Sequence, residues 1–117
     1  TQDYAAAVRQ IAQRNDPKEI RDFIFDNRYK KLLLSKIPLK LMWTAIKEDP
    51  SMLKFIDIPV EYQKKVVDLN PKYIDTIRKL DLQTIEYAVS KGLAAELATS
   101  PTIMAVPKFE EVINKAL

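Results

Sequence analysis

Apolar residues recur along this chain at the spacing of short amphipathic helices. Pro17, Pro38 and Pro59 are evenly spaced, and apolar pairs follow each of them at the seventh and eighth positions. These pairs are Ile24-Phe25, Ala45-Ile46 and Val66-Val67. At the third position after each proline comes one further apolar or aromatic residue: Ile20, Leu41 and Tyr62. Because positions three, seven and eight share one face of an α-helix, each proline predicts the start of an amphipathic helix.

A second series of helix starts lies inside these proline-started units. Asp49-Pro50 and Asn70-Pro71 are separated by the same interval as the prolines of the first series. Asp and Asn are good N-caps because their side-chain oxygens accept from the free N–H groups of the first turn. Apolar residues fifteen or eighteen positions into the units predict the buried stripe of a shorter second helix: Leu32, Leu53, Ile56, Ile74 and Ile77. A fourth unit begins one position late at Asp81, without the proline.

This spacing predicts an all-α fold, a short stack of helix-turn-helix repeats of about 21 residues with terminal capping helices. We expect one domain over 1–117. Its parts are a lead-in helix in 1–15, repeats at about 16–36, 37–57, 58–79 and 80–99, and a closing segment 100–117. The predicted helices are 3–14, 17–27, 29–36, 38–48, 50–56, 59–69, 71–79, 81–91, 93–99 and 107–116. Such short helices are marginal alone in water, so each must pack on a neighbour.

The pattern resembles families of short α-helical tandem repeats of about 20 to 25 residues, found in bacterial, phage and large-virus proteins. The units that start at Pro17, Pro38 and Pro59 carry the resemblance, together with the degenerate unit from Asp81. Many of these families have no known function, and they share no catalytic residues. The resemblance therefore implies binding or scaffolding.

Composition removes most chemistry from consideration. The chain contains no cysteine and no histidine, so it lacks the usual metal ligands, a thiolate nucleophile and the commonest general base near neutral pH. Its single glycine, Gly92, excludes glycine-rich phosphate-binding loops. We therefore expect no enzymatic activity, no metal, no cofactor and no small-molecule substrate. No apolar stretch approaches the ~20 residues that cross a bilayer, and an intracellular, cytoplasmic protein is expected.

Positive charge is concentrated in the first part of the chain. Residues 1–47 hold ten Lys and Arg against five Asp and Glu, whereas residues 48–117 hold nine against eleven. The densest cationic stretch lies in residues 28–40, where leucines are interleaved with the basic residues. Together with the only tryptophan, it gives the candidate partner-binding set: Arg28, Tyr29, Lys30, Lys31, Lys36, Lys40 and Trp43. The same lysines also fit the solvated side of two core helices, and Trp43 also fits packing between repeats.

Two functions remain open on the sequence alone. The first is a non-enzymatic protein–protein interaction or assembly module whose partner is another protein or copies of itself. The alternative is an electrostatic nucleic-acid-binding protein that uses the basic segment 28–40, with Tyr29 or Trp43 stacking on a base. Asp22 and Asp26 share a helix face but lie close to Lys18 and Arg21, so ion pairing accounts for them better than a cation site.

Overall fold

A computed structural model describes residues 4–116, and these residues contain helices and no strand. The predicted all-α class is confirmed. The backbone divides into two compact units, Thr1–Ile56 and Asp57–Leu117. The single domain over 1–117 stays a prediction. Of the helices between residues 4 and 116, none combines the length and the apolarity required to span a bilayer.

The first unit is built around a helix pair. Its elements are α1 (Tyr4–Arg14), α2 (Pro17–Asp26), α3 (Lys31–Ser35), α4 (Leu39–Glu48) and a 3-10 helix (Pro50–Lys54). Helix α2 packs along α4, and α1 packs against α2. The side chains buried most completely in this unit are Ile20, Ile24, Leu33, Ala45, Ile46, Met52 and Leu53.

The second unit follows with shorter elements. They are α5 (Val60–Leu69), a 3-10 helix (Pro71–Thr76), α6 (Leu82–Ser90), α7 (Ala94–Leu97), α8 (Pro101–Met104) and α9 (Phe109–Ala116). Helix α5 packs on the 3-10 helix and on α6, while α6 and α7 both pack on α9. The buried core of this unit includes Val66, Val67, Ile74, Ile85, Ala88, Leu97, Ile103 and Ile113.

Side-chain caps fix where many of these elements begin. The predicted N-caps Asp49 and Asn70 are confirmed, since their side chains accept from the N–H groups two positions later at 3.1 and 3.0 Å. Asp16 and Asp81 cap α2 and α6 in the same way. These carboxylate and amide oxygens satisfy N–H groups that the helix itself leaves unpaired. The polar residue before each start therefore determines the boundary.

Several predicted boundaries are wrong. The segments predicted as helices at 50–56 and 71–79 are 3-10 helices that end at Lys54 and Thr76. In these short segments the backbone hydrogen bonds join residues three positions apart, as from the Tyr73 N–H to the Asn70 carbonyl. No helix is predicted between residues 100 and 106, yet Ser100 caps the one-turn helix α8 there.

The predicted buried face is also rotated by one position in places. Pro38 and Pro59 are the N-caps of α4 and α5 rather than their first helical residues. As a result Met42 and Gln63 are buried, one position after the predicted Leu41 and Tyr62, which are half-buried.

The same shift appears in α3. Leu32, predicted to be buried, is 65% exposed, and Leu33 takes the core position at 2%. Helix α3 begins at Lys31 rather than Tyr29, because residues 27–29 form a turn that is closed by a hydrogen bond from the Lys30 N–H to the Asn27 carbonyl. The observed helix therefore starts two positions later than predicted, and Leu33 instead of Leu32 packs into the core.

A buried glutamine joins three parts of the second unit. The Gln63 side-chain N–H₂ group donates to the Ile58 and Lys79 carbonyls at 3.2 and 3.3 Å. Its oxygen accepts from the Asp81 N–H at 3.1 Å and from the Thr84 hydroxyl at 2.6 Å. Both donor hydrogens and both acceptor sites of the amide are therefore used, which makes burial of this polar side chain tolerable.

Candidate interaction surface

The basic segment, residues 28–40, is held to the first unit by its inward side chains. Leu33 is 2% exposed and Ile37 is 7% exposed. Helix α3 ends between them at Ser35, and α4 begins after them at Leu39. The segment thus contains a short helix, the turns on either side of it and the start of α4, and two aliphatic side chains anchor it.

Four of the predicted site residues are exposed lysines: Lys30, Lys31, Lys36 and Lys40. None of them forms a salt bridge with a residue in the range 4–116. By contrast, Arg14 pairs with Glu19, and Arg21 pairs with Asp22 and Asp49. The first unit therefore neutralises several of its own cations and leaves the ammonium groups of the basic segment unpaired.

Large apolar side chains lie among these lysines and remain in contact with water. Tyr29 is 79% exposed, Leu32 65% and Leu39 43%. Fully burying such a side chain is worth about 1.5 to 3 kcal/mol. Exposed leucines scattered singly are ordinary, but three large apolar groups close together in a basic segment favour an interaction surface.

Arg28 differs from the lysines because its guanidinium faces aromatic rings of its own unit. The guanidinium carbon lies 4.0 Å from the ring centroid of Phe25, 4.7 Å from that of Tyr29 and 5.4 Å from that of Phe55. One of its N–H groups donates to the Phe25 carbonyl at 2.7 Å. Phe25 and Phe55 pack edge to face at 5.7 Å. Arg28 thus stabilises the start of the basic segment, and its guanidinium packs against the Tyr29 ring.

Trp43 lies outside the segment, on α4, and is half-buried. Its neighbour Met42 is 7% exposed and belongs to the core. The structure therefore places the tryptophan at the edge of the core.

A second surface, which the sequence did not reveal, lies between α6 and α9. We call it the acid-rimmed groove. It has a volume of about 400 Å³ and is lined by Leu82, Glu86, Val89, Ser90, Glu111, Val112 and Lys115. The apolar members are half-buried, whereas Glu86 and Glu111 are exposed. Neither carboxylate forms a salt bridge with a residue between 4 and 116.

The only sequence signal for this groove is weak. Glu110-Glu111 followed by Val112 and Ile113 indicates an acidic amphipathic helix, and this pattern alone is ordinary for a helix with one solvated side. The facing residues Glu86 and Val89 belong to α6, more than twenty positions earlier. Their approach depends on how α6 and α9 pack.

Another cleft of the second unit, about 280 Å³ in volume, has an aliphatic floor that includes Ile74, Leu93 and Leu97. On its wall the Ser100 hydroxyl donates to the Asp75 carboxylate and also caps α8. This pair has no imidazole to activate the serine, and the hydroxyl is already used in capping. No group of Asp and Glu side chains in residues 4–116 is arranged to hold a metal ion.

The resolved pKa shifts belong to Asp49 and its partner Arg21, and neither residue is part of the basic segment or the acid-rimmed groove. The Asp49 carboxylate accepts from the Ser51 hydroxyl at 2.7 Å and from the Arg21 guanidinium at 2.9 Å. The Ser51 hydroxyl is the largest cause that lowers the pKa of the Asp49 carboxyl, and Arg21 adds to it against the opposing effect of burial. The hydrogen bond to Asp49, followed by that to Asp22, raises the pKa of the Arg21 guanidinium.

Comparison of the chain with known protein families, with curated proteins and with solved structures finds no match.

Proposed function

We propose that this protein is a non-enzymatic protein–protein interaction or assembly module. The basic segment binds a partner protein whose surface carries both carboxylates and apolar side chains. The observation that carries this proposal is the exposure of Tyr29, Leu32 and Leu39 beside four lysines that have no ion-pair partner in residues 4–116.

The two kinds of side chain have different roles in such an interface. Burial of the tyrosine and leucines supplies affinity, since association removes their apolar surface from water. The lysines attract an acidic partner over a distance and exclude basic ones, so they contribute association rate and specificity. A surface with both features selects a partner that is acidic and apolar together.

The absence of cysteine and histidine from the whole sequence supports the non-enzymatic part of the proposal. The best-placed hydroxyl, that of Ser100, already caps a helix. A serine needs an adjacent general base to act as a nucleophile, and the chain offers no imidazole for this purpose.

We further propose that the helices form a stack of repeats. Positions separated by one repeat length are buried in both of the middle copies, which supports this organisation. These pairs are Ile37 and Ile58, Met42 and Gln63, Ala45 and Val66, Ile46 and Val67, Leu53 and Ile74, and Ile56 and Ile77. Stacked repeats present extended surfaces of this kind to partners.

Nucleic-acid binding through residues 28–40 is the second candidate function. The observation in its favour is Tyr29, which is 79% exposed beside lysines and stacked on the Arg28 guanidinium, as a base-stacking platform would be. Against it, Leu32 and Leu39 are aliphatic and offer little to a phosphate backbone. A protein partner would cover all three side chains.

The test is capture of partners from the native source on immobilised protein, with and without nuclease treatment of the extract, and with matched charge reversals. K30E/K31E lies in the basic segment. K47E/K54E changes the net charge equally at two exposed lysines of the same unit. We expect partners to be retained by the wild type and by K47E/K54E, and lost with K30E/K31E and with Leu32→Ser.

A set of captured proteins that is the same for all four chains would overturn the proposal. Retention that depends on Lys30 and Lys31 but disappears after nuclease treatment would transfer the function to the nucleic-acid alternative.

A further inference from the structure

We infer that the basic segment of one chain binds the acid-rimmed groove of a second copy, so that the protein self-associates head to tail. This inference rests on the proposed function of the basic segment as a docking surface and assigns its partner.

The charges of the two surfaces are complementary. The basic segment presents four unpaired lysines, while the groove presents Glu86 and Glu111, with exposed Glu110 on the same helix. Lys115 is the one cation among the residues that line the groove. The two units also differ in net charge. Residues 1–56 contain eleven Lys and Arg and seven Asp and Glu, whereas residues 57–117 contain eight Lys and Arg and nine Asp and Glu. Opposite charges on the two surfaces favour the pairing of unlike ends.

The apolar groups of the two surfaces also match. Leu82, Val89 and Val112 line the groove and are half-buried, so each keeps apolar surface in contact with water. The groove volume of about 400 Å³ is within the roughly 300 to 1,000 Å³ of pockets that receive ligand-sized groups. Tyr29 and Leu32 are the most exposed large apolar side chains of the basic segment and are the groups that would enter it.

The geometry of such a contact is heterologous, because the two surfaces differ. A bound pair still offers one free basic segment, on one chain, and one free groove, on the other. Head-to-tail contacts of this kind grow into open chains unless the rotation between copies closes a ring. The expected behaviour is therefore a mass that rises with concentration, and it is strongest at low ionic strength because salt screens exposed charges.

The experiment is sedimentation velocity on the full chain at low ionic strength, over concentrations that reach the millimolar range. The variants are K30E/K31E in the segment and E86K/E111K in the groove. Two matched controls, K47E/K54E and E61K/E96K, reverse equal charge at exposed residues outside both surfaces. Circular dichroism verifies that each variant is folded.

We expect the wild type and both controls to self-associate, and each surface variant alone to weaken association by roughly tenfold or more through like-charge repulsion. An equal mixture of K30E/K31E and E86K/E111K should restore association, because the intact segment of E86K/E111K meets the intact groove of K30E/K31E, and the reversed segment meets the reversed groove.

A wild type that keeps one chain's mass at every concentration would overturn the inference, as would a mixture that fails to restore association. Neither result would remove the proposed function, which depends on whether K30E/K31E loses captured partners. If that capture is unchanged, the docking role of the basic segment is wrong and the inference falls with it.

Discussion

Gln63 occupies a core position of the second unit although its side chain is polar. It lies 21 positions after Met42, which is buried in the first unit. The hydropathy pattern offers no reason to expect burial, because a glutamine among apolar residues on a helix is ordinarily solvated. Its four hydrogen bonds explain the exception, and they depend on groups at residues 58, 79, 81 and 84 that sequence alone does not bring together.

Replacing Gln63 with alanine should lower the free energy of unfolding by about 3 kcal/mol, because the change leaves buried partners unsatisfied and opens a cavity. Urea denaturation measures the difference. Gln10→Ala, the same change on the exposed side of α1, should stay within about 0.5 kcal/mol of the wild type. A Gln63 variant as stable as the Gln10 variant would contradict the assigned network.

The Asp49 carboxyl predicts a pH dependence of stability. Its pKa is lower in the folded chain than in the unfolded chain, chiefly through the Ser51 hydroxyl. The carboxylate therefore stabilises the fold above its ordinary pKa, and this contribution is lost as the pH falls through the lower folded value.

The Asp49→Asn variant should thus have a lower free energy of unfolding than the wild type at neutral pH. This difference in free energy should become smaller as the pH falls into the acidic range. Urea denaturation across the acidic range measures this narrowing. Asp26→Asn is the control, because the Asp26 carboxylate forms no hydrogen bond or ion pair with a described residue. A difference for Asp49→Asn that does not change with pH would contradict the assignment.

At the scale of helices and turns, the prediction from sequence succeeded where a local signal sets the boundary. Asp49 and Asn70 cap elements as expected, since capping depends on residues that are neighbours in the chain. It failed where packing decides. The turn at residues 27–29 moves the start of α3 and exposes Leu32, and this turn lies where Arg28 stacks on Phe25 of α2 and on Phe55. Contacts between residues that are far apart in the chain cannot be predicted from a local sequence pattern.

Within the predicted site, Arg28 packs on aromatic rings of its own unit whereas Lys30 is exposed, so their replacement should affect stability differently. Arg28→Ala should lower the free energy of unfolding by about 1 to 2 kcal/mol, because it removes ring contacts and a hydrogen bond that join α2 to the end of the 3-10 helix. Lys30→Ala should leave stability within about 0.5 kcal/mol of the wild type. Thermal or urea unfolding of the two variants measures both values. Equal stability in the two variants would show that Arg28 has no structural role.

At the scale of the whole molecule, the sequence predicted the helical class and the basic segment but not the acid-rimmed groove. The segment is contiguous in the chain, so its composition is visible directly. The groove is formed by α6 and α9, which are separated by two other helices, so its residues share no sequence pattern. Interaction surfaces made from one segment are therefore easier to recognise here than those made by packing.

The proposed repeat organisation makes its own prediction. A duplicate of residues 37–57, inserted directly after residue 57, should be accepted as one more copy, because each repeat in a stack contacts only its neighbours. The longer chain should keep its helical content per residue in circular dichroism and unfold cooperatively. The same duplicate inserted within α5 should disrupt folding. Equal disruption from the two insertions would contradict the repeat stack.

The pairing of the basic segment with an acid-rimmed apolar surface is most directly tested by amide chemical shifts. The isotope-labelled full chain is held dilute at low ionic strength while unlabelled chain is added in excess. The account predicts shift changes concentrated in residues 28–40 and in α6 and α9, and their loss when the unlabelled chain carries both K30E/K31E and E86K/E111K. Spectra that stay unchanged up to millimolar additions, or changes located elsewhere in the chain, would contradict it.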